Sequence, residues 1–150
     1  MKQFRVTVAT VVEREGLFLM VEERDKQTRQ LVYNQPAGHV ELGESLIAAA
    51  KRETLEETGS LVHPTGVLSV GLYRPQSRPE TYCRITLIAQ WERQDLGASL
   101  DPDIHRVVWL SYEQILAESA KLRSPMVLDS INRYRRGESY PLSMLTYYES

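Results

Sequence analysis

Glu53, Glu56 and Glu57 lie within the run Arg52-Glu53-Thr54-Leu55-Glu56-Glu57-Thr58-Gly59. A helix turns by about 100° per residue, so positions i, i+3 and i+4 share a face and the three carboxylates share one edge. Glu53 and Glu57 are like charges at i, i+4, an arrangement that costs an isolated helix ~0.2–0.5 kcal/mol. A hard divalent cation offsets such repulsion, because Mg2+ takes oxygen ligands and is held by carboxylates together with substrate phosphates. Taken alone, the run reads more readily as a solvated helix face paired with Lys51 or Arg52.

The segment in front of it changes that balance. Pro36-Ala37-Gly38 and Gly43 interrupt regular structure, as a loop requires. From Glu44 to Thr58 there is no Gly or Pro, and Ala48, Ala49 and Ala50 favour helix. Gly59 supplies a C-terminal stop. The expected order is loop, helix, loop, with Glu44 and Arg52 two turns apart on the helix and the acids in its last two turns.

Gly38, five residues, Glu44, seven residues, Arg52-Glu53, two residues, Glu56-Glu57, one residue and Gly59 reproduce the pattern Gx5Ex7REUxEExGU, where U is bulky and apolar. In this the chain resembles the Nudix hydrolases, and every fixed Gly, Glu and Arg is present. The two U positions depart, holding Thr54 and Ser60, which puts the packing of the helix in question and leaves the acids untouched. A motif of this length is far more specific than a short glycine pattern.

The resemblance implies an α+β Nudix fold, a mixed β-sheet sandwiched between helices (α/β/α), over a single domain spanning 1–150. It implies hydrolysis of a pyrophosphate link with Mg2+, for which Mn2+ substitutes. Glu53, Glu56, Glu57 and the Gly38 carbonyl are the implied metal ligands. Arg52 enters the catalytic set through an ion pair or hydrogen bonds with Glu44. Glu56 or Glu57 would orient or deprotonate the attacking water, unless an acid outside the motif does so. Asn34-Gln35-Pro36-Ala37-Gly38-His39, Leu122-Arg123-Ser124-Pro125 and Tyr140-Pro141-Leu142 extend the likeness from about Val6 to about Met144. They resemble a subgroup of small bacterial phosphatases in the family. For that subgroup the implied activity is release of phosphate from nucleoside tri- and diphosphates and from the thiamine precursor hydroxymethylpyrimidine pyrophosphate. Two alternatives stand beside it: a pyrophosphohydrolase that sanitises nucleoside triphosphates, and a non-catalytic nucleotide-binding domain.

Asp103, six residues before Trp109, is the acid outside the motif, although Asp101-Pro102-Asp103 also reads as a simple turn. Glu41 could reach the metal shell through water, or be a solvated loop acid. Arg84 presents a charged fork suited to phosphate, against the more ordinary reading of a surface salt bridge; Arg5 is a weaker candidate of the same kind. His39 could touch phosphate, with a polar loop residue as the safer reading for it, His63 and His105. Tyr73, Tyr82 and Trp91 could stack on a base, although aromatics in strands are more often core. The basic end of the last helix, Arg133, Arg135 and Arg136, is explained by the helix dipole.

The elements that must hold these residues follow from periodicity. Strands are expected over Phe4–Val12 and Leu17–Glu22 as a hairpin about Glu13–Gly16, over Leu31–Asn34, Val67–Tyr73, Tyr82–Trp91 and Arg106–Leu110. Helices are expected over Tyr112–Ala120, capped by Ser111, and from Pro125 to about Arg136, ended by Gly137.

A chain of 150 residues with 42% hydrophobic and 25% charged residues has the size and composition of one globular domain with a real core. The net charge of −2 offers no general attraction to nucleic acid. The one cysteine, Cys83, excludes an internal disulfide and fits a reducing compartment. No stretch reaches the roughly 18 apolar residues of a membrane span. A cytoplasmic monomer acting on a small-molecule nucleotide or pyrimidine pyrophosphate is the expectation.

Overall fold

The computed structural model describes residues 3–150. In chain order the elements are β1 (Phe4–Val11), β2 (Glu13–Arg14), β3 (Leu17–Arg24), β4 (Leu31–Asn34), β5 (Ala37–His39), α1 (Leu46–Thr58), β6 (Ser60–Tyr73), β7 (Thr81–Gln94), β8 (Ile104–Ser111), α2 (Tyr112–Ala117) and α3 (Pro125–Arg135). The strands divide into two sheets of four. One has the order β5-β1-β7-β6 and is mixed, since β1 and β7 are parallel while its outer pairs are antiparallel. In the other, β3 carries β8 along one side and β2 and β4 on the opposite side.

Alternation along the strands sends side chains to two different helical layers. Val8, Ile85 and Leu87 pack against Ala49 and Ala50 of α1. Val11, Phe18, Met20 and Leu68 pack against Ile115 of α2 and Val127 and Ile131 of α3. Burying each such Val or Ile is worth about 1.5–3 kcal/mol. The helices thus cover opposite faces, the expected α/β/α layering, with two sheets where a single one was expected.

Local chemistry sets the helix ends. Ser45 accepts from the Ala48 amide at 3.1 Å, and Gly59 adopts φ 73° while its N–H reaches the Leu55 carbonyl at 2.8 Å. Helix α1 therefore begins at Leu46, and Glu44 lies in the loop before it, not on the helix as expected. Ser111 and Gln114 form a reciprocal capping box on α2, and Ser124 with Pro125 opens α3.

Other boundaries differ from the sequence reading, and α2 ends at Ala117 rather than Ala120. Ala37–His39 is a strand paired to β1, where a loop was expected. The hairpin involves β2 and β3 rather than β1, which joins the other sheet. Strand β6 begins at Ser60, seven residues earlier than Val67, because register shifts absorb Pro64 and Gly66. Pro is tolerated there because β6 is the edge strand. The two departures from the apolar motif positions are accommodated by hydrogen bonds. Thr54 is fully buried; its hydroxyl donates to the Ala50 carbonyl at 2.8 Å and lies 3.1 Å from the Thr10 hydroxyl. Ser60 accepts from Trp91 Nε1 at 3.1 Å.

Glu22 is a buried acid, 3% exposed, that anchors the second sheet. Arg106 Nε donates to it at 2.9 Å and Lys121 stands 3.6 Å away. The Arg106 bond, with help from Tyr33 and Lys121, holds its carboxyl below the ordinary 4.5, against the opposing effect of burial. Its stabilisation is therefore present above pH 4.5 and is lost as pH falls through the depressed value. Glu22→Gln is expected to cost about 2 kcal/mol at pH 7, read as a lower melting temperature. The gap to the parent protein closes in strong acid; a gap that stays constant with pH would refute the charge-based account.

Candidate active site

A cleft of about 460 Å³ opens between the β5-β1-β7-β6 sheet and the loops of the other sheet. Its floor is one face of the first sheet. Registers place His39, Thr7, Arg84 and Gly71 in one row across β5, β1, β7 and β6, and Arg5, Tyr82 and Tyr73 in the next row of the same face. The His39 ring lies 6.3 Å from that of Tyr82. Burial, with Arg5 and Lys26 nearby, keeps the His39 imidazole below its usual value, so it is neutral at pH 7.

The acidic edge enters from α1. Glu57 is 6% exposed and accepts from the Ala37 amide of β5 at 2.8 Å. Burial pushes its carboxyl up to about 9, outweighing that bond, with Glu23, Glu53 and Asp101 adding like charge. Burial also raises Glu53, whose Oε1 accepts from Arg52 Nη1 at 2.9 Å. Arg52 itself is gripped by Glu44, at 3.0 Å from Nε and 2.7 Å from Nη2, and donates to the His39 carbonyl at 3.0 Å. Glu44 is thereby held below the usual carboxylate range. The pairing of Arg52 with Glu44 that the motif implies is present, formed between a helix and a loop.

Gly38, His39, Glu41, Glu53, Glu57, Arg84 and Asp103 all line the cleft; Arg52 and Glu56 do not. Glu56 is half-exposed, its carboxylate 3.2 Å from Arg52 Nη1. Glu41 is exposed, 3.6 Å from Arg52. Asp103 sits in an exposed turn 3.6 Å from Lys26, a surface pair worth about 0–1 kcal/mol. Asp101, which the sequence reading passed over, also lines the cleft, and its amide docks on the Glu56 carbonyl at 2.9 Å.

Arg84 differs most from expectation. It forms no surface salt bridge but is buried, 6% exposed, and accordingly lowered to about 10. Nη2 donates to Gln35 Oε1 at 2.6 Å and Nη1 to Asn34 Oδ1 at 3.3 Å, while Nε has no partner among the described residues. Gln35 is tied in turn to the Val127 carbonyl at 2.9 Å. Beside it, Glu23 accepts from Arg123 at 3.0 Å. Neither Glu23 nor Gln35 carries a signal in the sequence, because partners 49 to 100 residues distant reveal them only in the fold.

The donor set suits a hard cation. Among the described residues no three His, Cys, Asp or Glu side chains converge as a ready-made cage, since Arg52 draws Glu53 and Glu56 to itself. Yet Glu57 is a buried carboxylate with no basic partner among the described residues. The backbone at Gly38 approaches the Glu53 carboxylate so closely that a Cβ there would overlap it. Glu53 and Glu57 thus bring carboxylate oxygens up to the backbone at Ala37 and Gly38, where a divalent ion would offset their repulsion.

The acid-bearing helix against a mixed sheet, the Arg52–Glu44 pair and the polar cleft together define a Nudix hydrolase. The NUDIX domain profile matches residues 1–130, and the chain belongs to that family, as a hydrolase of phosphoric anhydride bonds whose members generally use divalent cations. It is 40% identical over 141 residues to phosphatase NudJ of Escherichia coli K12, covering 93% of this chain and 89% of that protein. A NUDIX hydrolase structure from Nitrosomonas europaea superposes with TM-score 0.93 at 40% identity, covering 97% of this chain and 98% of the other. The E. coli ORF135 protein, TM-score 0.71 at 21% identity over 91% and 94% of the two chains, shares the fold. Among the described residues no helix is long and apolar enough to cross a membrane.

Proposed function

We propose that this chain is a Mg2+-dependent phosphatase of nucleoside tri- and diphosphates that releases inorganic phosphate, with hydroxymethylpyrimidine pyrophosphate as a further substrate. The observation that carries this reading is one cleft holding both the oxygen edge of Gly38, Glu53 and Glu57 and the buried cation Arg84. The likeness to a phosphatase across nearly the whole chain supports release of phosphate. Glu53, Glu56, Glu57 and the Gly38 carbonyl would hold Mg2+, or Mn2+ in its place. When bound, the ion neutralises phosphate oxygens and acidifies water.

The chain's own residues supply position and charge. Arg52 and Glu44 fix the acidic edge. Glu57, Glu56 or an acid of the 101–103 turn orients the attacking water, and His39 and Glu41 flank the phosphates. A neutral His39 donates a hydrogen bond without adding charge. We assign the protein to the cytoplasm and to a monomeric state.

The test is a substrate panel with Mg2+, followed by phosphorus NMR of the products. A nucleoside triphosphate is expected to yield inorganic phosphate and the diphosphate. Pyrophosphate plus monophosphate would instead identify the pyrophosphohydrolase, and no turnover of any pyrophosphate would leave the binding domain.

A further inference from the structure

The guanidinium of Arg84 is a buried charge whose energetics require a partner. A cation removed from water is costly unless it is paired. Here its two hydrogen-bonded partners, Gln35 and Asn34, are neutral amides, and Nε is buried without a partner among the described residues. Only one N–H on each terminal nitrogen is engaged, so three of its five donors remain free. The amides hold the fork in place; Glu23 and Glu57 are near enough to favour its charge, but no carboxylate is hydrogen-bonded to it. Two oxygens of a phosphate would satisfy adjacent donors together.

Its position says which phosphate. Arg84 on β7 is two strands from His39 on β5, the neighbour of Gly38, a backbone separation of about 10 Å. Two residues along from Arg84, about 7 Å by strand rise and on the same face, stand Tyr82 and its register partner Tyr73, with the Tyr82 ring 6.3 Å from that of His39. The floor therefore carries the oxygen edge, one buried cation and an aromatic surface side by side, and a planar heterocycle can stack on the last.

We infer that Arg84, positioned by Gln35 and Asn34, is a metal-independent subsite for the phosphate that stays on the organic product, while the phosphate to be released lies at the Gly38–Glu53–Glu57 edge. This deepens the proposed phosphatase function and rests on that reading for the identity of the two phosphates. It makes the nucleoside monophosphate a ligand in its own right, held without any metal ion, and so a competitive product inhibitor.

The experiment is calorimetric titration of the wild-type protein, Arg84→Met and Arg84→Lys with AMP in metal-free buffer containing EDTA, beside steady-state kinetics on ADP with Mg2+. Charged hydrogen bonds of this kind make a loss of at least about tenfold the expected effect of Arg84→Met on AMP affinity. KM for ADP rises in parallel while kcat falls less, and Arg84→Lys lies between, because it keeps the charge and loses the fork. Wild-type protein that does not bind AMP without metal overturns the inference. So does an Arg84→Met protein that melts normally and binds AMP as tightly as the parent, or one that loses kcat with KM unchanged. If Arg84→Met does not fold, Arg84→Lys decides, and an unaltered AMP affinity overturns it. Failure of wild-type protein to hydrolyse ADP would strike the phosphatase reading separately, since AMP binding is measured without turnover.

Discussion

Glu57→Gln is expected to lower kcat at least about a hundredfold while leaving the melting temperature unchanged or higher. The two effects separate for a physical reason. Glu57 is 6% exposed, and burial disfavours its charged form. Glutamine has nearly the same shape, can still accept from the Ala37 amide as Glu57 does at 2.8 Å, and has no charge to give up on burial. Replacing a buried acid whose charged form the site disfavours by a neutral isostere is stability-neutral or favourable. What is lost is an anionic oxygen donor at the edge proposed to hold the cation. Glu56 offers the internal comparison. It is half-exposed and shares Arg52 with Glu53, so Glu56→Gln is expected to reduce turnover by at least about tenfold but less than Glu57→Gln. The measurements are kcat on a nucleoside diphosphate at saturating Mg2+ and thermal melts of both variants. Turnover unchanged in both would remove the acidic edge from the chemistry.

The acidic edge was readable because a helix has one period, and three glutamates spaced by three and four residues must then lie together. Its caps were readable for a similar reason, since Ser111 and Ser124 act on amides within three residues of themselves. The cleft wall was not. Arg84 on a strand carries no local mark separating a solvated cation from a buried one, and its burial follows from β7 being flanked by β1 and β6 with α3 above. The boundary of β6 was missed because Pro64 and Gly66 are breakers by local rule, whereas an edge strand with bulges accommodates both. Glu44 was assigned to the helix by composition; Ser45 claims the cap, and the loop position lets Glu44 grip Arg52 with both oxygens. In each case local chemistry set the element and long-range pairing set the role.

Gly38→Ala is expected to show that the same edge depends on close backbone approach. Gly38 is not at positive φ, so its backbone accepts an alanine without strain. The obstacle is the Glu53 carboxylate, which the new methyl group would overlap. Glu53 cannot simply swing aside, because Arg52 Nη1 holds it at 2.9 Å and Glu44 holds Arg52. Overpacking of this kind costs about 1–3 kcal/mol, and displacement of Glu53 from the edge is expected to lower kcat at least about tenfold. A double-mutant cycle isolates the cause. Glu53→Ala alone should inactivate the enzyme by deleting a ligand. Combined with Gly38→Ala it makes room for the methyl group, so the double variant should melt higher than Gly38→Ala and remain inactive. If the double variant is no more stable than Gly38→Ala, the clash is not with Glu53. If Gly38→Ala keeps full activity, close backbone approach at this position plays no part in holding the site together.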